Sequence, residues 1–327
     1  METPVTATAP RIADPRDPVT ASRRPARRRL NAVVVVGSLV LAALLAGHAL
    51  VPDVLGLGLL LDSILPWLGL LVIGLAVLAL LARRGRPIAA VLVPAVVWCV
   101  MFVPALLPLA AAAPSGETLT VASQNIKADS ATGVESATEL AATGADVIAL
   151  QEMDYGARNA IADELSDDYG YSYQVGTVGL WSTYPIANAQ PLQLGLGWNR
   201  ALAADLETPS GPVSIYVIHA GSARLDDHAD RDTMLAELAA TVPNDENDRV
   251  VVVGDFNAAS NDRALAPLQA ELSEANQTSG GLGFTWPSWF PATRLDHVFT
   301  TGVDVVSNET MVAGDSDHLA LLATLGL

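Results

Sequence analysis

The sequence predicts an α/β protein in which three membrane-spanning helices precede a sandwich of two packed β-sheets. Long apolar runs cover residues 31–51, 64–82 and 88–110, each near the roughly 20 residues a helix needs to cross a bilayer. Beyond them, many short runs of β-formers are interrupted by only a few helical segments. No glycine-rich phosphate loop opens a helix after a strand, which argues against a doubly wound nucleotide-binding sheet.

Taken in order, residues 1–29 are rich in Pro, Thr, Ala and Arg without apolar periodicity, and are predicted to be a disordered tail. Residues 30–113 hold the three spans, the third containing Pro94 and Pro104, which a membrane helix tolerates when neighbours re-satisfy the backbone. The single cysteine, Cys99, lies inside that span and is expected to be a packing residue; it cannot form a disulfide within one chain. Pro108, Pro114, Ser115 and Gly116 make a short linker into a domain over 114–327. About 210 residues suffice to bury a core without covalent staples. Strands are expected over 118–124, 146–152, 171–175, 178–183, 188–194, 200–208, 212–219, 249–256 and 319–327. Helices are expected over 134–144, 156–168 and 225–242, the last with Met234, Leu235, Leu238 and Val242 on one face.

Charge orients the chain. Arg23, Arg24, Arg27, Arg28 and Arg29 precede the first span and Arg83, Arg84 and Arg86 separate the second from the third, whereas the intervening connection carries only Asp53 and Asp62. The positive-inside rule therefore places the N-terminus in the cytoplasm and, after three crossings, the C-terminal domain outside a cell membrane. Beyond residue 113 there are 8 basic and 30 acidic residues, a net charge of −22 against −17 for the whole chain. So negative a field repels polyanions and disfavours a non-specific nucleic-acid binder.

Five polar motifs stand at the ends of these strands: VASQNI (121–126), DVIALQEMD (146–154), IYVIHAGS (215–222), VVVGDFNAAS (251–260) with RLDHVF (294–299), and GDSDHLALL (314–322). Strand ends are where a rigid scaffold presents reactive groups. Asn125, Glu152, Asp255, Asn257, Asp317 and His318 are donors suited to a hard cation and a phosphate. A carboxylate ending a buried strand, as Glu152 does, is costly unless it binds a metal or a partner. Strand alternation puts Asp255 and Asn257 on one face, with Phe256 turned into the core.

The ordered set resembles the endonuclease/exonuclease/phosphatase superfamily, the DNase I-like metal-dependent phosphoesterases, over roughly Glu117 to Leu327. The resemblance implies a DNase I-like four-layer sandwich, two mixed sheets flanked by helices. It implies that Glu152 is the principal metal ligand with Asn125 beside it and Asp317 as a further contact, the ion being Mg²⁺ with Mn²⁺ as an alternative. It implies that Asp255 and Asn257 orient water and a phosphate oxygen, that His318 lies on the phosphate oriented by Asp296, and that His219 is a second phosphate donor. Whether Asp255 or His318 is the base stays open. Two positions depart from the family pattern: Leu319 stands where Arg is common, and Lys127 where nuclease members often carry an acid, which disfavours a second metal site. His297, His228 and His48 are expected to be structural, while Trp181, Trp286, Trp289 and Phe290 either line a groove or pack in the core.

Three spans joined to such a domain resemble the VanJ-type teicoplanin-resistance membrane proteins of actinobacteria. That resemblance, with the short linker, points to a lipid bilayer and to lipid-linked or cell-envelope phosphate esters as partners, nucleic acid being disfavoured. The alternatives are a surface endonuclease or exonuclease, a sphingomyelinase-like phosphodiesterase, and an inactive binding module.

Overall fold

A computed structural model of the protein describes residues 23–82, 85–109 and 116–327. Residues 1–22 of the tail expected over 1–29, Arg83, Arg84, and the linker residues Pro114 and Ser115 lie outside the described residues. The chain divides into two compact units, one ending at Ala46 and resuming over Trp67–Val97, the other comprising Gly47–Pro66 with Trp98–Leu327.

The first unit is built from α1 (Arg23–Ala46), α3 (Leu68–Ala82) and the first turns of α4 (Gly85–Leu106), with α2 (Leu57–Ile64) lying in sequence between α1 and α3. Residues 23–29, expected in the tail, are helical; Arg and Ala are strong helix formers that extend the apolar helix N-terminally. Among the described residues, three stretches are long and apolar enough to cross a membrane: Arg27–Ala46, Val54–Ala82 and Gly85–Leu106. Val34, Leu41 and Leu45 are buried, and Gly37 lets α1 approach Leu75 of α3.

In the second unit the chain runs β1 (Thr118–Asn125), α5 (Gly133–Ala141), β2 (Val147–Gln151), α6 (Tyr155–Leu165), β3 (Tyr171–Val175), β4 (Val178–Ser182), β5 (Ile186–Leu192), β6 (Ala201–Thr208) and β7 (Gly211–His219). It continues through α7 (Ala229–Thr241), β8 (Val250–Asp255), α8 (Ala266–Glu271), β9 (Ser273–Glu274), β10 (Asp296–Thr301), β11 (Asp304–Met311) and β12 (Ala320–Gly326). Two six-stranded sheets result, in the orders β11-β12-β1-β2-β4-β3 and β5-β6-β7-β8-β10-β9. Both are mixed: β1 and β2 are parallel, as are β7 and β8, and every other pair is antiparallel.

Apolar side chains from both sheets meet in one core, including Val121, Val147 and Leu180 from the first and Leu202, Val217 and Val253 from the second. On the outer faces, α5 and α6 cover Ile148 and Trp181, while α7 and α8 cover Ile218, Val252 and Phe299. This is the expected four-layer sandwich. β11 is not legible as a strand in DVVSNETM, a half-exposed edge strand whose backbone is organised by its ladder with β12. Helix α7 starts at Ala229 rather than 225, because Arg224 and Asp227 close a bridged turn first.

A buried ion cluster braces β9 and β10. Glu274 accepts from Arg294 Nη1 at 2.9 Å, from His297 Nδ1 at 2.7 Å and from Ser260 Oγ at 3.0 Å. Burial opposes its charge, but Arg294 and His297 outweigh burial and lower its pKa to about 2. A depressed carboxyl pKa contributes stability that is complete above the unfolded-state value of 4.5 and is lost as pH falls toward about 2. At about 1.4 kcal/mol per pKa unit the contribution is about 3 kcal/mol. Chemical unfolding of the full chain and of Glu274→Gln should therefore differ by about this much at pH 7 and converge through that window. A difference that persisted unchanged down to the acid end would reject the assignment.

Candidate active site

The parallel pairs β1–β2 and β7–β8 end along one rim of the sandwich, and the antiparallel strands β10 and β12 begin there. Register then places the motifs together: Asn125 is opposite Gln151, His219 opposite Asp255, and Asp255 opposite Asp296. Gly254 is required for this approach, since at φ +137° a Cβ would lie 2.0 Å from the Ile218 carbonyl oxygen.

Hydrogen bonds join the two sheets through these side chains. Asn125 Nδ2 donates to Asp255 Oδ2 at 2.9 Å, and His318 Nδ1 bonds Asp296 Oδ2 at 2.8 Å. Ser316 Oγ donates to the Asn125 carbonyl at 2.6 Å and accepts the His318 N–H at 3.1 Å, which fixes the loop carrying His318 against β1. Asp255, Asp296 and His318 bring ligand atoms within 4.8 Å of one another, all buried, and among the described residues Asp296 Oδ1 has no hydrogen-bond partner.

Asn257 is not on the strand. It follows β8 at φ +49° in a turn closed by its own N–H to Asp255 Oδ1 at 2.9 Å, because an aspartate side chain outcompetes the ladder there. The turn nevertheless brings its Nδ2 to 3.4 Å from Asp255 Oδ2, on the side expected from alternation, and Phe256 is fully buried. Glu152 likewise leaves β2 at φ +58°, its Oε2 accepting the Ala128 N–H at 3.0 Å and its Oε1 lying 3.4 Å from His219 Nε2. Asp317 enters through its charge on His318 and through its backbone carbonyl, which accepts the Ser288 N–H at 2.7 Å.

The electrostatics separate the carboxylates. The His219 hydrogen bond, aided by Ala128 and Asn125 against burial, lowers the Glu152 pKa to about 2, so it is ionised at neutral pH. Burial pushes Asp255 up, and Asp296 adds to this against the pull of His318 and His219. Burial would lower His318, but Asp296, Asp255 and Asp317 raise it to about 10. His318 is therefore an imidazolium whose Nε2–H is a donor, which favours an anionic oxygen over a cation as its ligand. Glu152 and Asn125, an ionised carboxylate beside an amide with no thiol near, fit a hard divalent cation.

Arg200 is the functional candidate that the sequence reading missed. At the mouth of β6, its Nη2 contacts His219 Nδ1 and Nε2 at 3.1 and 2.5 Å, and its guanidinium lies 5.0 Å from the Trp198 ring. Burial lowers its pKa while Asp255 and Glu152 favour its charge. The available signal was a rare cation, one of 8 beyond residue 113, opening a strand at the rim. Among the aromatics, Trp181 is a core residue, whereas Trp286, Trp289 and Phe290 are exposed. Their loop is tied to the His318 loop through Ser288 Oγ and the Ser316 carbonyl at 2.7 Å. His297 is structural, stacked on Phe299 and edge-on to Phe256.

Two six-stranded mixed sheets between helices, with Asn, Glu, Asp and His side chains gathered on one rim, define a DNase I-like α/β sandwich. The Endonuclease/Exonuclease/phosphatase family model matches residues 122–318, and the chain belongs to that family. Members of this superfamily are generally phosphoester hydrolases. An endonuclease/exonuclease/phosphatase from Bacteroides vulgatus is similar in structure, with a TM-score of 0.56 and 18% identity over 64% of this chain and 99% of that one. D. rerio TDP2, solved with a single-strand DNA product, has a TM-score of 0.56 and 16% identity over 64% of this chain and 100% of that one. Sphingomyelinase C from Streptomyces griseocarneus has a TM-score of 0.50 and 20% identity over 64% of this chain and 99% of that one. No curated protein matches the chain in sequence.

Proposed function

We propose that the protein is a membrane-anchored, Mg²⁺-dependent phosphoesterase that hydrolyses lipid-linked or cell-envelope phosphate esters at the outer membrane surface. The observation that carries this reading is the buried network in which Asn125, Asp255, Asp296 and His318 join the two sheets beside the ionised Glu152. Mg²⁺ bound by Glu152 and Asn125, with Asp317 as a further contact, would offset the charge of the phosphate. Asp255, held by the amides of Asn125 and Asn257, takes the proton of the attacking water. His318, kept protonated by Asp296, donates to a non-bridging oxygen, and His219 with Arg200 supplies further donors.

A lipid substrate is supported by the exposed Trp289 and Phe290 on the loop bonded to the His318 loop, by the net charge of −22 beyond residue 113, and by three helices apolar enough to span a membrane. The test is kcat/KM of the full-length protein in liposomes for a polyprenyl diphosphate and for plasmid DNA at low salt. The lipid should be the better substrate, and intact cells should turn over a membrane-impermeant phosphodiester added outside. DNA cleavage without lipid turnover would replace this reading by a surface nuclease. Activity seen only after lysis would reverse the orientation.

A further inference from the structure

The segment Gly47–Pro66, which follows α1 and contains α2, is wired into the turn that carries Asn257. Arg263, at the start of the 3-10 turn Arg263–Leu265, directs its guanidinium into that segment rather than to solvent. Its Nε donates to Asp62 Oδ2 at 2.8 Å, Nη2 to Asp62 Oδ1 at 3.2 Å and to the His48 carbonyl at 2.9 Å, and Nη1 to the Val51 carbonyl at 2.5 Å. Asp62 is fully buried, and its Oδ1 also bonds His48 Nδ1 at 2.8 Å. A Cβ on Gly58 would stand 2.9 Å from the guanidinium, so the glycine makes room for it. A second anchor lies alongside: Asp53 caps α2 through the Gly58 and Leu59 N–H groups and bonds His228 Nε2 at 2.5 Å. His48 and His228, expected to be structural, are the imidazoles of these two contacts.

The preceding residue connects this anchor to the site. Asp262, also buried, accepts the Ala264 N–H at 2.9 Å, which caps the turn holding Arg263, and accepts Arg231 Nη1 at 2.6 Å. Arg231 is buried on α7 and donates from the same Nη1 to the Asn257 carbonyl at 3.1 Å. Asp62, Arg263, Asp262 and Arg231 therefore alternate in sign along one path, buried except at the half-buried Arg263, that ends on the backbone of Asn257, in a left-handed conformation that non-glycine residues keep only when their surroundings hold it. Without Arg263, the carboxylates of Asp62 and Asp262 would face each other with one cation fewer between them.

We infer that Asp62 and Arg263 are positioning residues of the active site, so that α2 and the turn before it complete the Asp255–Asn257 turn. The inference rests on the proposed role of Asn257, and its test separates the two. Full-length wild type, Asp62→Asn, Arg263→Met and Arg263→Lys are compared in liposomes by amide hydrogen exchange and by Mg²⁺-supported hydrolysis of bis(p-nitrophenyl) phosphate. Exchange over residues 256–262 should accelerate about tenfold in Asp62→Asn and Arg263→Met, within the range of such couplings, while β1 and β12 are unchanged. The value of kcat should fall about tenfold with KM within about twofold, and Arg263→Lys, which keeps the charge beside Asp62, should recover most of both. If Arg263→Met does not fold, Asp62→Asn against Arg263→Lys gives the same comparison. Unchanged exchange over 256–262 would overturn the inference and leave the pair as an anchor only. Accelerated exchange in a protein that hydrolyses nothing would uphold the coupling and reject the proposed function.

Discussion

Glu152→Gln in the full-length chain is expected to lower kcat for phosphodiester hydrolysis by about 10³-fold, equivalent to about 4 kcal/mol of transition-state stabilisation. Glutamine keeps the size of the side chain and an acceptor for the Ala128 N–H, but removes the charge that the His219 hydrogen bond holds ionised. Under the proposed function, that charge is what attracts a divalent cation beside Asn125. EDTA should produce the same loss in the wild type, and excess Mg²⁺ should restore the wild type but not the variant. Because Glu152 is about one-third exposed at the rim, its side-chain relative accessibility being 31%, the thermal unfolding midpoint should move little. Full activity in EDTA, or a variant whose lost activity follows lost folding, would rule out this role.

His318→Ala should lower kcat by about 10² to 10³-fold, the usual cost of removing one donor aimed at developing anionic charge. The deletion also strands Asp296, whose Oδ2 loses its partner while Oδ1 has none among the described residues, leaving a buried carboxylate near Asp255. Asp296→Asn tests the other half of the pair. It keeps the imidazole but withdraws the charge that holds it protonated, so its effect should be smaller, about 10 to 10²-fold. If the two residues act as one unit, the double variant should be no slower than His318→Ala. Multiplicative losses would separate them into independent roles. Equal activity of His318→Ala and wild type would remove His318 from the chemistry.

The candidate donors were legible because oxygen and imidazole groups that serve a cation or a phosphate are specific atoms, and strand ends are where a sheet can present them. Runs such as VVVV before Gly254 and VIAL before Gln151 can only be buried strands, so the polar residues that follow them must emerge at the rim. The same local logic identified β1, β7 and α7 and the three apolar helices. It failed at β11, whose half-exposed residues have no periodicity of their own and whose form is set by β12. It failed also at Asn257 and Glu152, where positive φ replaces strand alternation.

What the sequence determined by itself was therefore local: elements, core faces, family motifs, and the donor types available for a cation and a phosphate. Tertiary structure alone decided the pairings across long separations. Arg200 reaches His219, Asn125 reaches Asp255 from the opposite sheet, and Arg263 reaches Asp62 from 201 positions away. None of these follows from spacing, since hydrogen-bond energy depends on a few ångströms in space and is blind to distance along the chain. Which carboxylate is ionised and which imidazole is protonated followed in turn, because burial and neighbouring charge set both and exist only once the sheets have closed on each other.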